Sequence, residues 1–134
     1  MASIVIPRGQ FVSVQATQAN STAAHTTTLG PFTIGRSPFN GLWLLHVKVM
    51  FGVPSAAINE DVLLQDQGGN TIITYHVNMG SGATVNPVWI NDIWSLPGIV
   101  SSSISGTNQQ SWNLVTPATV NGPGYSVFMA GYLV

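Results

Sequence analysis

The sequence predicts an all-β fold, an antiparallel β-sandwich or jelly roll of about eight or nine strands in a single domain with no significant helix. Three observations carry this. The run Gly41 to Phe51, GLWLLHVKVMF, is dominated by apolar residues and contains no Pro, Asn or Asp. Two β-rich runs, Val62 to Gln65 and Thr71 to Val77, bracket Asp66-Gln67-Gly68-Gly69-Asn70, the best hairpin signal in the chain. Elsewhere, short β-rich runs recur between Gly, Pro, Asn and Ser turns at fairly even spacing, which is how sandwiches and jelly rolls read.

Taken in order, residues 1–10 form an N-terminal arm or edge strand ahead of a sandwich domain at 11–134. Ile4-Val5-Ile6 is a short apolar tract stopped by Pro7 and Gly9. Phe11 to Ala16 (FVSVQA) alternates as a strand does. Thr17 to His25 is small, polar and loop-like. Its Asn20-Ser21-Thr22 is a glycosylation sequon, discounted because no signal peptide precedes it. Thr26 to Leu29 and Phe32 to Ile34 flank Gly30-Pro31, which reads as a turn.

The central run would reach roughly 33 Å as a strand. Alternation directs Trp43, Leu45, Val47, Val49 and Phe51 to a core. It leaves Leu42, Leu44, His46, Lys48 and Met50 on a partly covered face. Each large side chain of the first set stabilises the fold by about 1.5–3 kcal/mol when buried.

Asn78 to Pro87 reads as loop, and Val88 to Trp94 as a strand or a turn-rich connection. Gly98 to Ile104 and Gln110 to Val115 continue the pattern across a Ser/Gly/Thr/Asn/Gln turn. Thr116 to Gly124 is a loop. Tyr125 to Val134 (YSVFMAGYLV) is apolar on both faces, so it belongs at the centre of a sheet or beneath a partner. Phe11, Trp43, Phe51, Tyr132 and Val134 are expected to hold the fold.

Composition narrows the role. A chain of 134 residues is one domain with room for a core. It has no cysteine, so disulfides, thiolate metal sites and cysteine nucleophiles are excluded. Met1 to Pro7 is too short for a secretory signal and nothing approaches a membrane span, which predicts synthesis in a cytoplasm and no membrane partner. Only 5% of residues are Lys, Arg, Asp or Glu, against about a quarter in an average soluble domain. So few charges do not suit nucleic-acid binding. A nearly neutral chain of this kind tends to associate, and partners covering its surface, most simply copies of itself, resolve the problem.

Little in the chain suggests catalysis or a cofactor. His46 and His76 lie on the less apolar faces of their strands and would form half a metal site only if those strands were neighbours. No H-x-H or H-x₃-H spacing supports a ligand set. The carboxylates Glu60, Asp61, Asp66 and Asp92 read as solvated loop acids, and the Asp66 to Asn70 segment as a plain turn that lacks an EF-hand's acidic density. Neither a G-x-S-x-G elbow nor a phosphate loop is present. No enzyme, cofactor or metal is expected.

The tryptophans carry the binding candidates. Trp43 belongs to the core strand. Trp89, Trp94 and Trp112 lie in or near segments rich in Asn, Asp, Ser and Gln, and three roles are open to them: core, protein interface or sugar stacking. For a protein partner the contact residues are Ile4, Ile6, Trp89, Trp94 and Trp112. For a sugar they are Trp89, Asn91, Asp92, Trp94, Asn108, Trp112 and Asn113, as in a lectin or a fibre tip.

With its Val62 to Val77 hairpin, its DQGGN turn and its closing Tyr125 to Val134 strand, this cysteine-free, charge-poor chain resembles the small all-β virion proteins of tailed bacteriophages, of the capsid decoration or cement type. The resemblance implies a jelly-roll or β-tulip subunit, commonly trimeric, sited in the virion, that clamps the major capsid protein or another virion protein. It brings no catalytic residues. On that expectation the Ile4 to Ile6 arm adds as a strand to a neighbour's sheet edge.

Overall fold

Eight strands form two four-stranded antiparallel sheets in the computed structural model, which describes residues 9–18, 23–34, 41–52, 58–79, 89–95, 98–101, 104–118 and 124–134. The side chains of Ile58, Met79 and Trp89 lie outside that description, as do Ile4 and Ile6 of the expected arm. The strands are β1 (Gln10–Gln18), β2 (His25–Thr33), β3 (Leu42–Phe51), β4 (Ile58–Gln65), β5 (Thr71–Met79), β6 (Trp89–Ile93), β7 (Gln109–Thr116) and β8 (Tyr125–Leu133). The described residues contain no helix.

The first sheet has the order β1-β8-β3-β6 and the second β2-β7-β4-β5. The pairs β1·β8, β2·β7, β3·β6 and β4·β5 are therefore nested. That nesting, a four-strand-deep hairpin rolled onto itself, is the jelly roll. It places the β1–β2, β3–β4, β5–β6 and β7–β8 connections at one end of the sandwich and the remaining three at the other. β8 lies between β1 and β3, as its two apolar faces require.

The core lies between the sheets. Leu42, Leu44, Val47, Val49 and Phe51 of β3, Val62 and Leu64 of β4, Leu114 of β7 and Met129 of β8 are fully excluded from solvent. This differs from strict alternation along β3. Leu44 pairs with Gly131 and His46 with Ala130, so Leu45 is an extra residue in a β-bulge. The bulge shifts the phase by one: Leu42 and Leu44 point inward before it, and Val47, Val49 and Phe51 after it. Trp43 and Leu45, expected in the core, are only partly buried and belong to no core cluster. The bulge also bonds outside the ladder. Leu45 O accepts from Trp94 N at 2.8 Å, and Leu44 exchanges two backbone hydrogen bonds with Ile99 at 2.9 and 2.8 Å.

Two further expectations are corrected. Gly30-Pro31 does not end a strand; it forms a bulge inside β2 between Leu29 and Phe32, with a cis peptide bond. Phe11 is 70% exposed and sits on the outer face, because Val12 and Val14 are the β1 residues that pack on the core. Phe51 and Tyr132 are buried as expected, while Val134 is partly exposed.

A polar clamp ties the sheets together at the start of β3. Trp112 on β7 is fully buried, and its Nε1 donates to Leu42 O at 3.1 Å. Two residues earlier on the same face, Gln110 Oε1 accepts from Leu42 N at 2.9 Å and its Nε2 donates to Ser101 O at 2.7 Å. At the β4–β5 hairpin Asp66, 5% exposed, accepts from Gly68 N at 2.9 Å and Asn70 N at 3.0 Å. The acid thus closes its own turn.

Candidate functional site

Strand register fixes what each sheet presents to the outside. On the first sheet the outward residues fall into rows across the strands. Phe11, Tyr132 and Trp43 form one row, and Ser13, Ala130, His46 and Ile93 the next. Gln15, Phe128, Lys48 and Asn91 follow. Thr17, Ser126 and Met50 complete the face, with Trp89 opposite Met50. Lys48 is the one formally charged residue among the described residues of this face.

The face is aromatic at one end. The Tyr132 ring centroid lies 4.7 Å from Phe11 and 6.3 Å from Trp43. Gly9 lies across Tyr132, where a Cβ would come within 2.7 Å of the ring. Tyr132 is therefore 5% exposed despite facing outward. In the middle, His46 meets Phe128 edge-on at 5.2 Å, and its Nε2 is 2.7 Å from Asn91 Oδ1. Phe11, Met50 and Ile93 leave large apolar surface in water.

A groove of about 410 Å³ runs across this face, lined by Gln15, Thr17, His46, Lys48, Ser126 and Phe128 among others. It shares Thr17, Met50 and Ser126 with an apolar hollow of about 310 Å³ that continues past Phe51 and Tyr125 to the end of the sheet.

The second sheet is different outside. Thr28, Asn113, Gln65 and Thr71 form one row, and Thr26, Val115, Leu63 and Thr74 the next. Thr28 Oγ1 donates to Asn113 Oδ1 at 2.7 Å, and His76 Nδ1 lies 2.7 Å from Asp61 Oδ1. Polar side chains bonded to one another make this a solvated face, interrupted by Leu63, Val115 and Ile72.

The sequence-derived candidates do not converge on one site. Trp112 is in the core, so its indole is offered to neither a partner nor a sugar. Asn113 lies on the outer face of the second sheet. Asn108 occupies the turn before β7 with φ of 56°. Asn91, Asp92 and Trp94 lie together on and after β6, the edge strand of the first sheet. Asn91 is exposed and bonded to His46, Asp92 faces the sheet interior, and Trp94 packs on the core. His46 and His76 sit on different sheets, and the described residues contain no metal-binding cluster.

Tyr75 of β5 is the group with the most perturbed ionisation. Its Oη is sealed from solvent and makes no hydrogen bond of normal geometry. Burial, reinforced by the nearby Asp92 carboxylate, raises its pKa well above the ordinary tyrosine value. It is held as a neutral phenol.

Alternation along a half-covered strand was the signal for the outer face. Ser126, Phe128, Ala130 and Tyr132 are one face of β8 by simple period two, but both faces of that strand are apolar, so the sequence does not say which one looks out.

No protein-family model matches the chain, and no curated protein matches its sequence. Among solved structures, dimeric latent PorU from Porphyromonas gingivalis is similar over 92% of this chain, with a TM-score of 0.51 and 9% sequence identity. The chain spans 13% of PorU, so the likeness is one of fold. The virus-like particle of the extra small virus of the giant freshwater prawn Macrobrachium rosenbergii aligns over 97% of this chain and 83% of the viral one. At 12% identity and a TM-score of 0.35, that alignment carries no argument about fold or role.

Proposed function

We propose that this chain is a non-enzymatic structural subunit of a virion, an oligomeric decoration or cement protein that stabilises a shell by binding its assembled form. The observation that carries the reading is the contrast between the two outer faces. One carries threonine, asparagine and glutamine with the Asp61–His76 pair, beside Leu63, Val115 and Ile72, and suits water. The other sets Phe11, Trp43, Phe128, Met50 and Ile93 among Ser, Thr, Gln and Asn side chains with a single formal charge, and suits burial against protein. With 5% charged residues over 7495 Å² of surface, the chain has few other means of staying dispersed.

A subunit of this kind needs covered area rather than a reactive centre. A protein that binds only the assembled shell stabilises it by mass action. Its partners are copies of itself, a trimer being the favoured form, and a major capsid or other virion protein. The jelly roll is compatible with such a role and also serves lectins, so the fold alone does not decide. The carbohydrate-binding alternative has less support, since its candidate residues are spread over a core, two sheets and a turn.

Paired substitutions test the proposal. Phe128→Asp places a charge on the aromatic face, and Thr74→Asp places one on the polar face. Light scattering is expected to show an oligomer for the wild type and Thr74→Asp, and a monomer for Phe128→Asp. Equal behaviour of the two variants would contradict the assignment of the covered face.

A further inference from the structure

We infer that the outer face of the first sheet is covered by the same face of a second copy, turned end for end about a two-fold axis that crosses the strands. The inference rests on the proposal that this face is covered in a self-associating protein. It sets two copies, rather than three, about the contact.

The face is raised at one end and hollow at the other. Phe11 stands 70% exposed against the Tyr132 ring in the first row. The groove and the apolar hollow lie toward the opposite end, over Gln15, Thr17, Ser126 and Met50. Bulk also alternates within the face. The outward residues of β8 run Tyr132, Ala130, Phe128, Ser126, a large side chain followed each time by a small one.

An axis between the second and third rows exchanges the two ends. The first row of one copy then lies on the last row of the other, and the second row on the third. Phe11 comes over the second copy's Thr17, at the rim of the hollow. Tyr132 comes over Ser126, and Phe128 over Ala130. Each ring meets a small side chain, so the two faces interdigitate as the inner faces of a sandwich do. The contact is isologous, and every such fit is made twice. An axis along the strands would instead set the aromatic rows against each other and the hollows against each other.

Charge and area agree with this arrangement. Lys48 falls on the row of the second copy's His46, so the two Lys48 side chains are not brought opposite each other. Four strands about 4.8 Å apart, each rising about 3.3 Å per residue from Phe11 to Thr17, give a face of about 19 by 23 Å. Two such faces cover about 900 Å² before side-chain relief is counted, close to the roughly 1,000 Å² that a specific interface needs.

The test is sedimentation velocity on the full chain, with circular-dichroism melts showing that each variant keeps the sandwich. The wild type is expected to dimerise. Phe11→Ala removes the ring and Thr17→Trp fills the hollow opposite it, and each is expected to weaken dimerisation about tenfold or more. The double variant sets the new indole over the shortened residue of the other copy, and is expected to return to within about threefold of the wild type. Ile72→Ala, on the second sheet, is expected to dimerise like the wild type. If Thr17→Trp fails to fold, Thr17→Leu takes its place with the same reading. Single variants that dimerise like the wild type overturn the contact, as does a double variant without recovery. Equal weakening by Ile72→Ala also overturns it. A wild type that closes at three copies overturns the two-fold contact and leaves the covered face standing. A wild type that stays monomeric overturns both the contact and the self-association on which it rests.

Discussion

At the scale of single residues, Trp112 and Tyr75 make opposite predictions. Trp112→Phe keeps a ring in the core but leaves Leu42 O buried without its donor. The expected cost is about 2–3 kcal/mol, measured by guanidinium unfolding. Tyr75→Phe removes a buried hydroxyl that approaches the Asp92 carboxylate without a hydrogen bond of normal geometry, so its stability at neutral pH is expected to lie within about 1 kcal/mol of the wild type. The pH dependence follows from the raised pKa. The folded chain holds the phenol proton more tightly than the unfolded chain does. That contribution is therefore complete below the ordinary tyrosine pKa of about 10 and is lost as pH rises through that value toward the folded one. Alkaline melts should show wild-type stability falling above about pH 10, and Tyr75→Phe falling less.

At the scale of the elements, the β3 bulge and the β4–β5 turn carry the predictions. Deleting Leu45 joins Leu44 to His46 in plain alternation, keeps Val47 and Val49 inward, and removes the carbonyl that accepts from Trp94 N, so the chain is expected to fold with a loss of about 1–3 kcal/mol. Leu45→Ala keeps the extra residue and is expected to cost no more than about 1–2 kcal/mol. Asp66→Ala removes the acceptor of two turn amides and is expected to cost about 1–2 kcal/mol in thermal unfolding, with Asp66→Asn costing less. These elements also show what was legible in the sequence. The hairpin could be read because its turn chemistry is local, and β8 could be placed centrally because both its faces are apolar. The β3 bulge could not be read. It is specified by Gly131 on the facing strand, where a Cβ would lie 2.7 Å from Trp43 O, and by Ile99, 55 positions along the chain from Leu44. Gly30-Pro31 was misjudged for the same reason, since a bulge and a turn use the same residues and only the pairing to β7 separates them.

At the scale of the whole molecule, the shortage of charge was legible at once, but not the face that it leaves bare. Trp112 looked like a surface candidate because Gln and Asn surround it, yet the neighbouring Gln110 is itself buried and belongs to the clamp on Leu42. Phe11 looked like core because it opens an alternating strand whose phase is set by β8. The central claim is that the first sheet's outer face is covered in the working state of the protein. Sedimentation equilibrium of the wild-type chain across a wide concentration range tests it most directly. A closed oligomer of fixed stoichiometry, dissociating only on dilution or on placing charge at Phe128, is the predicted result. A monomer at every concentration, with the aromatic face open to water, would contradict the account.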